Sequence, residues 1–179
     1  MNLVDIHKFT QYMGLSMISK GISVSPLKLQ KLLYYQQAWH MVFFGRDNQL
    51  FNSAPQAWVN GPVYPAIFHE YKNKVAGICD HLKEEHFGLV RDSDINGTIK
   101  TLATELNLSA EQIGLADSVI QIYGTKTQNQ LILTTHSELP WCEAREGLMP
   151  YDRSEKEISL DTMHEYYKER HDRNRSKKS

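Results

Sequence analysis

The sequence predicts an all-α protein, a compact single-domain helical bundle around a buried central helix with at most one very short β ribbon. Three observations favour this class. Apolar residues recur at helical spacing along much of the chain. The stretch "SPLKLQKLLYYQQAWHMVFFG" at residues 25–45 is apolar on nearly every side of a helix. The 179 residues are also 41% hydrophobic, which is enough for one domain with its own core.

The first two predicted helices are bounded by residues that start and stop helices. The first covers residues 3–20 and ends before Gly21, a residue that easily adopts the positive φ found after a helix. Its inward side consists of apolar residues at helical spacing, namely Leu3, Ile6, Phe9, Met13 and Met17. The second follows Ser25 as N-cap and Pro26 at the first helical position, and it continues to Gly45.

This second helix is the central feature of the sequence. A helix that is apolar all round is normally buried at the centre of its domain. Its polar residues form three groups, which are Lys28 with Lys31, Gln30 with Gln37, and Gln36 with His40. An unpaired buried polar group costs about 1–3 kcal/mol. We therefore expect these side chains either to bind polar loops of the same chain or to reach a partner.

The remaining elements are predicted from shorter signals. Residues 56–59 alternate weakly, as a short strand would, and "NGP" at 60–62 forces a turn. Ser109 and Gln112 form a capping box, and Ser159 is the N-cap of a last helix that ends at about residue 171. Residues 76–96 are predicted to be irregular. The other predicted helices cover residues 63–74, 98–106, 110–123, 126–135 and, after a turn, part of 137–145.

Composition excludes several classes of function. The formal net charge of −1 gives no overall field that would attract nucleic acid or an anionic membrane. No window approaches the ~20 apolar residues of a membrane span, and the start of the chain lacks the pattern of a secretory signal. Two cysteines are too few for a disulfide framework, which indicates a reducing, cytoplasmic setting. Residues 172–179 are predicted to be a basic, flexible tail.

Two constellations deserve consideration as enzyme sites. Cys142, His136 and Glu138 lie close in sequence, as a thiol nucleophile, a base and an orienting group would, but no oxyanion turn accompanies them. His81 and His86 stand near Cys79 in a polar stretch, yet their spacing is not that of a zinc-binding helix. Glycine-rich phosphate-binding signatures are absent, as is a basic DNA-recognition helix. We predict no enzyme activity, no metal and no cofactor, and we keep a cysteine- or metal-dependent hydrolase as an alternative.

Four blocks of the sequence together resemble the Panacea domain, a family long described as phage-associated that includes SocA-like antitoxins. The first two are "PLKLQKLLYYQQAWH" at 26–40 and "FGRDNQLFNSAPQAWVNGPVYPAIFHEYK" at 44–72. The third, "LILTTHSELPWCEAR" at 131–145, has the family's Thr-His-x-x-x-Pro-Trp turn. The fourth, "ISLDTMHEYY" at 158–167, matches the closing helix. The blocks occur in order, and residues 1–171 would form the Panacea-like domain.

The resemblance implies an antitoxin that neutralises a toxin encoded by the adjacent gene through direct protein–protein binding. It also implies a bacterial or prophage setting and requires no catalysis. An alternative within the same family is an adaptor that delivers the toxin to a AAA+ protease. Autoregulation by DNA binding is a weaker alternative because the recognition helix is missing.

The family signature has two interpretations. It is first a folding device, in which large anchors and a fixed turn pack against the central helix. The residues of this structural signature are Trp39, Trp58, His136, Pro140 and Trp141. The alternative is that the "NGPVYP" turn contributes to a partner-facing surface, where aromatic and cationic side chains suit binding hot spots. The residues predicted to bind the partner are Lys28, Gln30, Asn60, Gly61, Pro62 and Tyr64.

Overall fold

The computed structural model describes residues 2–177 and confirms the all-α class. Eight α-helices, one short 3₁₀ helix and one two-stranded hairpin make up the regular structure of the described residues. The helices are α1 (Ile6–Ser19), α2 (Pro26–Phe44), α3 (Pro65–Lys72), α4 (Ile95–Glu105), α5 (Ala110–Tyr123), α6 (Gln128–His136), α7 (Leu139–Ala144) and α8 (Leu160–Ser176). The strands are β1 (Gln56–Trp58) and β2 (Gly61–Val63).

Helix α2 is the centre of the bundle, as its sequence predicts. Every residue of α2 is buried except Trp39, Val42, Phe43 and Phe44 at its C-terminal end. Helices α3, α5, α6 and α8 and strand β2 all pack on it. An apolar residue on any side of α2 therefore meets another element. Helix α1 packs mainly on α4 and completes the core from one side.

Local signals set most helix boundaries. The Ser25 side chain accepts from Lys28 N, and Pro26 opens α2 as predicted. Ser109 and Gln112 form the predicted capping box of α5. The predicted end of the last helix near residue 171 is wrong, because α8 continues to Ser176 through a segment without glycine or proline. Of the predicted tail, residues 178–179 lie outside the described residues.

The stretch predicted to be irregular, residues 76–96, includes a short helix that is anchored on α1. A 3₁₀ helix covers Glu84–Phe87, and the Phe87 ring is buried. This ring lies over Gly14 of α1, where a Cβ atom would come within 2.2 Å of it. Helix α4 also begins three residues earlier than predicted, at Ile95, because Asp94 caps it.

A buried carboxylate joins α7 to α2 and α8. Glu138, at the start of α7, is 2% exposed and receives hydrogen bonds from three side chains. Tyr167 Oη and Tyr35 Oη donate to its Oε2 at 2.6 and 3.2 Å, and Arg170 Nη1 donates to its Oε1 at 2.9 Å. Burial raises the pKa of Glu138, while these hydrogen bonds and the Arg170 charge act in the opposite direction.

Candidate functional site

The predicted turn at "NGP" is a β-hairpin whose tip points outward. Strands β1 and β2 pair antiparallel with Trp58 opposite Gly61, so Val59 and Asn60 form a two-residue loop. Gly61 has a φ of +97°, which strongly favours glycine. A Cβ atom at this position would lie 2.7 Å from Thr135 Oγ1 and 2.9 Å from Lys31 Nζ. The hairpin is therefore pressed directly against α2 and α6.

Two buried side chains of α2 hold the second strand. Lys31 Nζ donates to the Pro62 carbonyl at 3.0 Å, and Gln30 Oε1 accepts from Tyr64 N at 2.9 Å. Both Lys31 and Gln30 are 0% exposed. Because two strands of three residues have little stability alone, these contacts are needed to fix the hairpin on the bundle.

Side chains from α6 and α7 hold the first strand and the loop. Trp141 Nε1 donates to the Trp58 carbonyl at 3.0 Å, and Arg145 Nη1 donates to the Ala57 carbonyl at 2.9 Å. His136 lies beside the backbone of Val59, which acts to raise its pKa, and it stacks on Trp141, with ring centroids 4.0 Å apart. We call the five side chains that contact the hairpin backbone the hairpin clamp, and they are Gln30, Lys31, His136, Trp141 and Arg145.

The clamp leaves one face of the hairpin accessible. Asn60 is exposed, and Trp58 and Val59 are half-buried. Trp58 packs edge-on against Phe68 of α3, with ring centroids 5.1 Å apart. These residues border a groove of about 340 Å³ that extends to Ile78 and to residues 153–155. The hairpin thus presents a half-exposed aromatic side chain beside a groove on a fixed backbone.

The six residues predicted to bind a partner do not form one surface. Among them Asn60 is exposed at the hairpin tip. Four are buried at the base of the hairpin or beneath it, namely Gln30, Gly61, Pro62 and Tyr64. Lys28 lies elsewhere, at the start of α2 beside residues 21–25 and 124–128. Partner contact by these residues stays a prediction.

The five residues of the predicted structural signature have separate positions. Trp58, His136 and Trp141 belong to the hairpin or its clamp, and Pro140 is buried in the first turn of α7. Trp39 lies on the other side of α2, where its Nε1 donates to Tyr123 Oη at 2.9 Å. It borders a second, more apolar groove of about 530 Å³ with Phe43 and Ile122, whose side chains are exposed.

Sequence reasoning missed the clamp roles of Lys31 and Arg145. In the sequence Lys31 is a polar residue of an apolar helix, a position where a buried amine needs an acceptor. Arg145 follows Trp141 by one helical turn, and the guanidinium stays close to the indole, 5.1 Å from its ring centre. Arg145 also donates to the carbonyl of Asp152, so it connects the hairpin to the segment that follows α7.

Burial of Lys31 brings the protonation of its amine into the neutral pH range. Desolvation lowers the pKa of Lys31 to about 7. The titratable or charged side chains that face this region are His136 on α6 and Arg145 directly after α7, and burial and the Lys31 charge together lower the pKa of His136. Since the folded pKa of Lys31 lies below its unfolded value, the unfolded chain binds more protons between the two values. Stability from this residue is therefore gained as pH rises through about 7.

We expect the free energy of unfolding of the native protein to rise by about 2–3 kcal/mol, relative to a Lys31→Met variant, between about pH 7 and about pH 9. Urea unfolding at both pH values measures this difference. Because the Lys31 charge also lowers the pKa of His136, the substitution changes the titration of both groups. A window that starts at about pH 7, above the ordinary pKa of histidine, keeps the contribution of His136 small. Parallel pH dependence in the two proteins would contradict the buried, readily deprotonated amine.

The side chains proposed for hydrolysis are not arranged as a nucleophile and base. Cys142 Sγ donates to the backbone carbonyl of His136 at 3.1 Å, while the His136 ring lies against Trp141. Burial raises the pKa of Cys142, which disfavours its thiolate. Across residues 2–177, no three His, Cys, Asp or Glu side chains are grouped so that they could hold a metal ion. None of the helices in that range has the length and apolarity to cross a membrane.

Comparison with known proteins identifies the family. The model of the antitoxin SocA-like, Panacea domain family matches residues 29–142, which is well over half of the chain. The match begins in α2, contains the whole hairpin and ends in α7, so it includes every clamp residue except Arg145. Searches of curated proteins and of solved structures find no match. The chain therefore belongs to the SocA-like antitoxin family and carries its Panacea domain.

Proposed function

We propose that this protein neutralises a toxin, encoded by the adjacent gene, by binding it directly in the cytoplasm. The surface that we assign to this binding is the hairpin face, defined as Trp58, Val59, Asn60 and the neighbouring Phe68. The observation that carries the assignment is the clamp, in which five side chains from three helices hold one short hairpin whose tip remains exposed. Family membership supplies the class of function.

The geometry of the hairpin face suits protein recognition. A rigid backbone lowers the conformational entropy lost on binding, and this improves affinity without any new contact. Tryptophan is enriched among the residues that contribute most to binding energy. The Trp58 indole donates to Gln56 Oε1 at 2.8 Å, so its ring is oriented before a partner arrives. The adjacent groove can accept an apolar side chain of the toxin.

Co-expression with the neighbouring reading frame tests the function. We expect that frame to stop growth when expressed alone, and we expect this protein to restore growth and to co-purify with its product. A neighbour that is harmless alone and does not bind would contradict the proposal. Toxin half-life separates neutralisation from delivery to a AAA+ protease. Direct neutralisation leaves the half-life unchanged, whereas an adaptor shortens it.

A substitution at the hairpin tip tests the surface. We expect Asn60→Arg to weaken toxin binding at least tenfold by calorimetry, because the long cation blocks the face. Exposed substitutions of this kind change stability by no more than about 0.5 kcal/mol. Asn96→Arg, on an exposed position of α4, is the matched control and should bind normally. If Ile122→Arg abolishes binding while Asn60→Arg does not, the toxin occupies the groove beside Trp39 and our surface assignment is wrong.

The hydrolase alternative has its own test. We expect Cys142→Ala to restore growth as fully as the native protein, because the thiol is exposed and only binds a backbone carbonyl. Loss of rescue by this variant, with an unchanged melting temperature, would contradict a purely binding role.

A further inference from the structure

Lys28 differs from the other polar residues of α2. The others bind the domain itself. For example, Gln37 Oε1 accepts from the backbone of Leu50 and Phe51, both at 3.0 Å, and Gln36 Nε2 donates to the Ala116 carbonyl at 3.2 Å. Lys28 is only 8% exposed, yet no residue among 2–177 accepts a hydrogen bond or forms an ion pair with its ammonium. The Lys28 side chain is mostly covered by the domain, while its ammonium lines the adjoining pocket and has no acceptor within the described residues, so an anionic ligand in the pocket would be its first partner.

Lys28 lines a polar pocket of about 470 Å³ between residues 21–25, residue 81 and residues 124–128. The pocket carries a second cation, Lys126, and the hydroxyls of Ser23 and Thr125. No aspartate or glutamate is among its lining residues. The exposed lysines of α1 and α8 behave differently, since Lys20 and Lys168 are paired with Asp117 and Asp172. Two cations without a carboxylate make this pocket locally positive in a protein of net charge −1.

The walls of the pocket are tied together before any ligand arrives. Ser25 Oγ donates to Gln128 Oε1 at 2.8 Å, which joins the start of α2 to the start of α6. Gln128 Nε2 donates to the Cys79 carbonyl at 3.3 Å, and Ser23 hydrogen-bonds His81. Three segments of the chain are thus held at fixed positions around Lys28. A preformed site of this kind loses little entropy when it binds.

The helix that starts at the pocket adds donors. The Thr127 side chain caps α6 by accepting from Gln130 N, and the first hydrogen bond along the helix goes from Leu131 N to the Thr127 carbonyl. The N–H groups of Gln128 and Asn129 precede these bonds and point from the positive end of the helix. Burial lowers the pKa of Lys28, and no neighbouring charge contributes to this shift. An anion in the pocket would supply the missing opposite charge.

We propose that this pocket binds the phosphate group of a small phosphorylated molecule. Lys28 and Lys126 neutralise its charge. The first N–H groups of α6 donate to its oxygens, as does the Ser23 hydroxyl when it accepts from His81 Nδ1–H. Several donors from different directions suit a tetrahedral oxyanion with many acceptor positions better than a planar carboxylate. The site is assembled from three separate segments, and a glycine-rich sequence signature therefore does not reveal it.

An NMR titration of the full chain with inorganic phosphate tests the site at constant ionic strength, with chloride as the exchanged anion. We expect saturable shifts of the backbone amides of Lys28, Gln128 and Asn129. Lys28→Gln should weaken phosphate binding about tenfold or more, because it removes the enclosed charge. Lys100→Gln, which removes an exposed charge on α4, is the control and should change affinity less than twofold. If Lys28→Gln does not fold, Lys126→Glu, on a half-exposed side chain, should abolish the saturable shifts.

The outcomes distinguish the sources of the ligand. Affinity for AMP at least tenfold above that for phosphate supports a phosphorylated nucleoside, and equal affinity supports recognition of the phosphate group alone. Acetate that binds as strongly as phosphate would overturn the proposal in favour of an acidic side chain of a protein partner. The absence of saturable shifts in the native protein, or unchanged affinity in both lysine variants, would also overturn it. None of these measurements depends on the toxin, so the antitoxin proposal is tested separately.

Discussion

Replacing Glu138 by alanine is expected to destabilise the fold by about 3–5 kcal/mol, the range found when one partner of a buried ion pair is removed. The substitution leaves the hydroxyl groups of Tyr35 and Tyr167 without their shared acceptor and leaves the Arg170 guanidinium without its counter-ion. The two tyrosines are fully buried, where water does not replace their lost hydrogen bonds, whereas the Arg170 side chain is 36% exposed and is partly solvated after the substitution. Urea unfolding followed by circular dichroism measures the change.

Two further variants serve as controls for the Glu138→Ala prediction. Glu143→Ala removes an exposed carboxylate from the same helix and should alter stability by no more than about 0.5 kcal/mol. Glu138→Gln keeps an acceptor of the same shape for the two tyrosines, and it should destabilise by less than the alanine variant. Equal effects of Glu138→Ala and Glu143→Ala would mean that the cluster does not join α7 to α2 and α8.

Replacing Gly61 by alanine is expected to destabilise the protein by about 2–4 kcal/mol. Part of this loss comes from the backbone, because a φ of +97° is strained for a residue with a Cβ atom. The rest comes from the close approach of that atom to Thr135 Oγ1 and Lys31 Nζ, at 2.7 and 2.9 Å. Relief of the contact requires the Thr135 hydroxyl and the end of the Lys31 side chain to shift, and displacement of Lys31 weakens its hydrogen bond to the Pro62 carbonyl of the hairpin. Toxin affinity should therefore fall together with stability.

A substitution at Gly147 separates the backbone contribution from the contribution of the close contact. Its φ is +81°, and a Cβ atom there would meet nothing within 4 Å. Gly147→Ala should therefore show only the conformational loss, on the order of 1 kcal/mol. The difference between the two variants in thermal unfolding measures how firmly the hairpin is held against its clamp. Identical losses would contradict the close packing of Gly61 on Lys31 and Thr135.

The sequence predicted the central helix well because its signals are local. Ser25 and Pro26 start α2 and Gly45 ends it, and apolar residues on all sides imply burial. The hairpin was also foreseen in outline from the weak alternation at 56–59 and from the turn at Gly61. In each case the decisive interactions lie within a few residues of one another, where backbone geometry limits the possibilities.

The hairpin clamp and the pocket beside Lys28 could not be predicted from local sequence signals. Arg145 meets Ala57 across a sequence separation of 88 residues, and nothing near Arg145 specifies which carbonyl it will bind. Lys28 and Lys31 look alike in the sequence, one turn apart on the same helix. Only the packed bundle gives Lys31 the Pro62 carbonyl and leaves Lys28 facing a pocket. The role of each of these two lysines depends on which distant part of the chain packs over its side chain.

The long separation between the hairpin and its clamp has a consequence during protein synthesis. Trp58 leaves the ribosome 83 residues before Trp141, the residue that binds its carbonyl. A hairpin of two three-residue strands is not stable alone in water. A growing chain therefore carries the hairpin sequence without the finished face until those 83 further residues have been added. The proposed toxin-binding surface matures only after α7 has emerged, so its appearance reports that the chain has been made through the residues of the clamp.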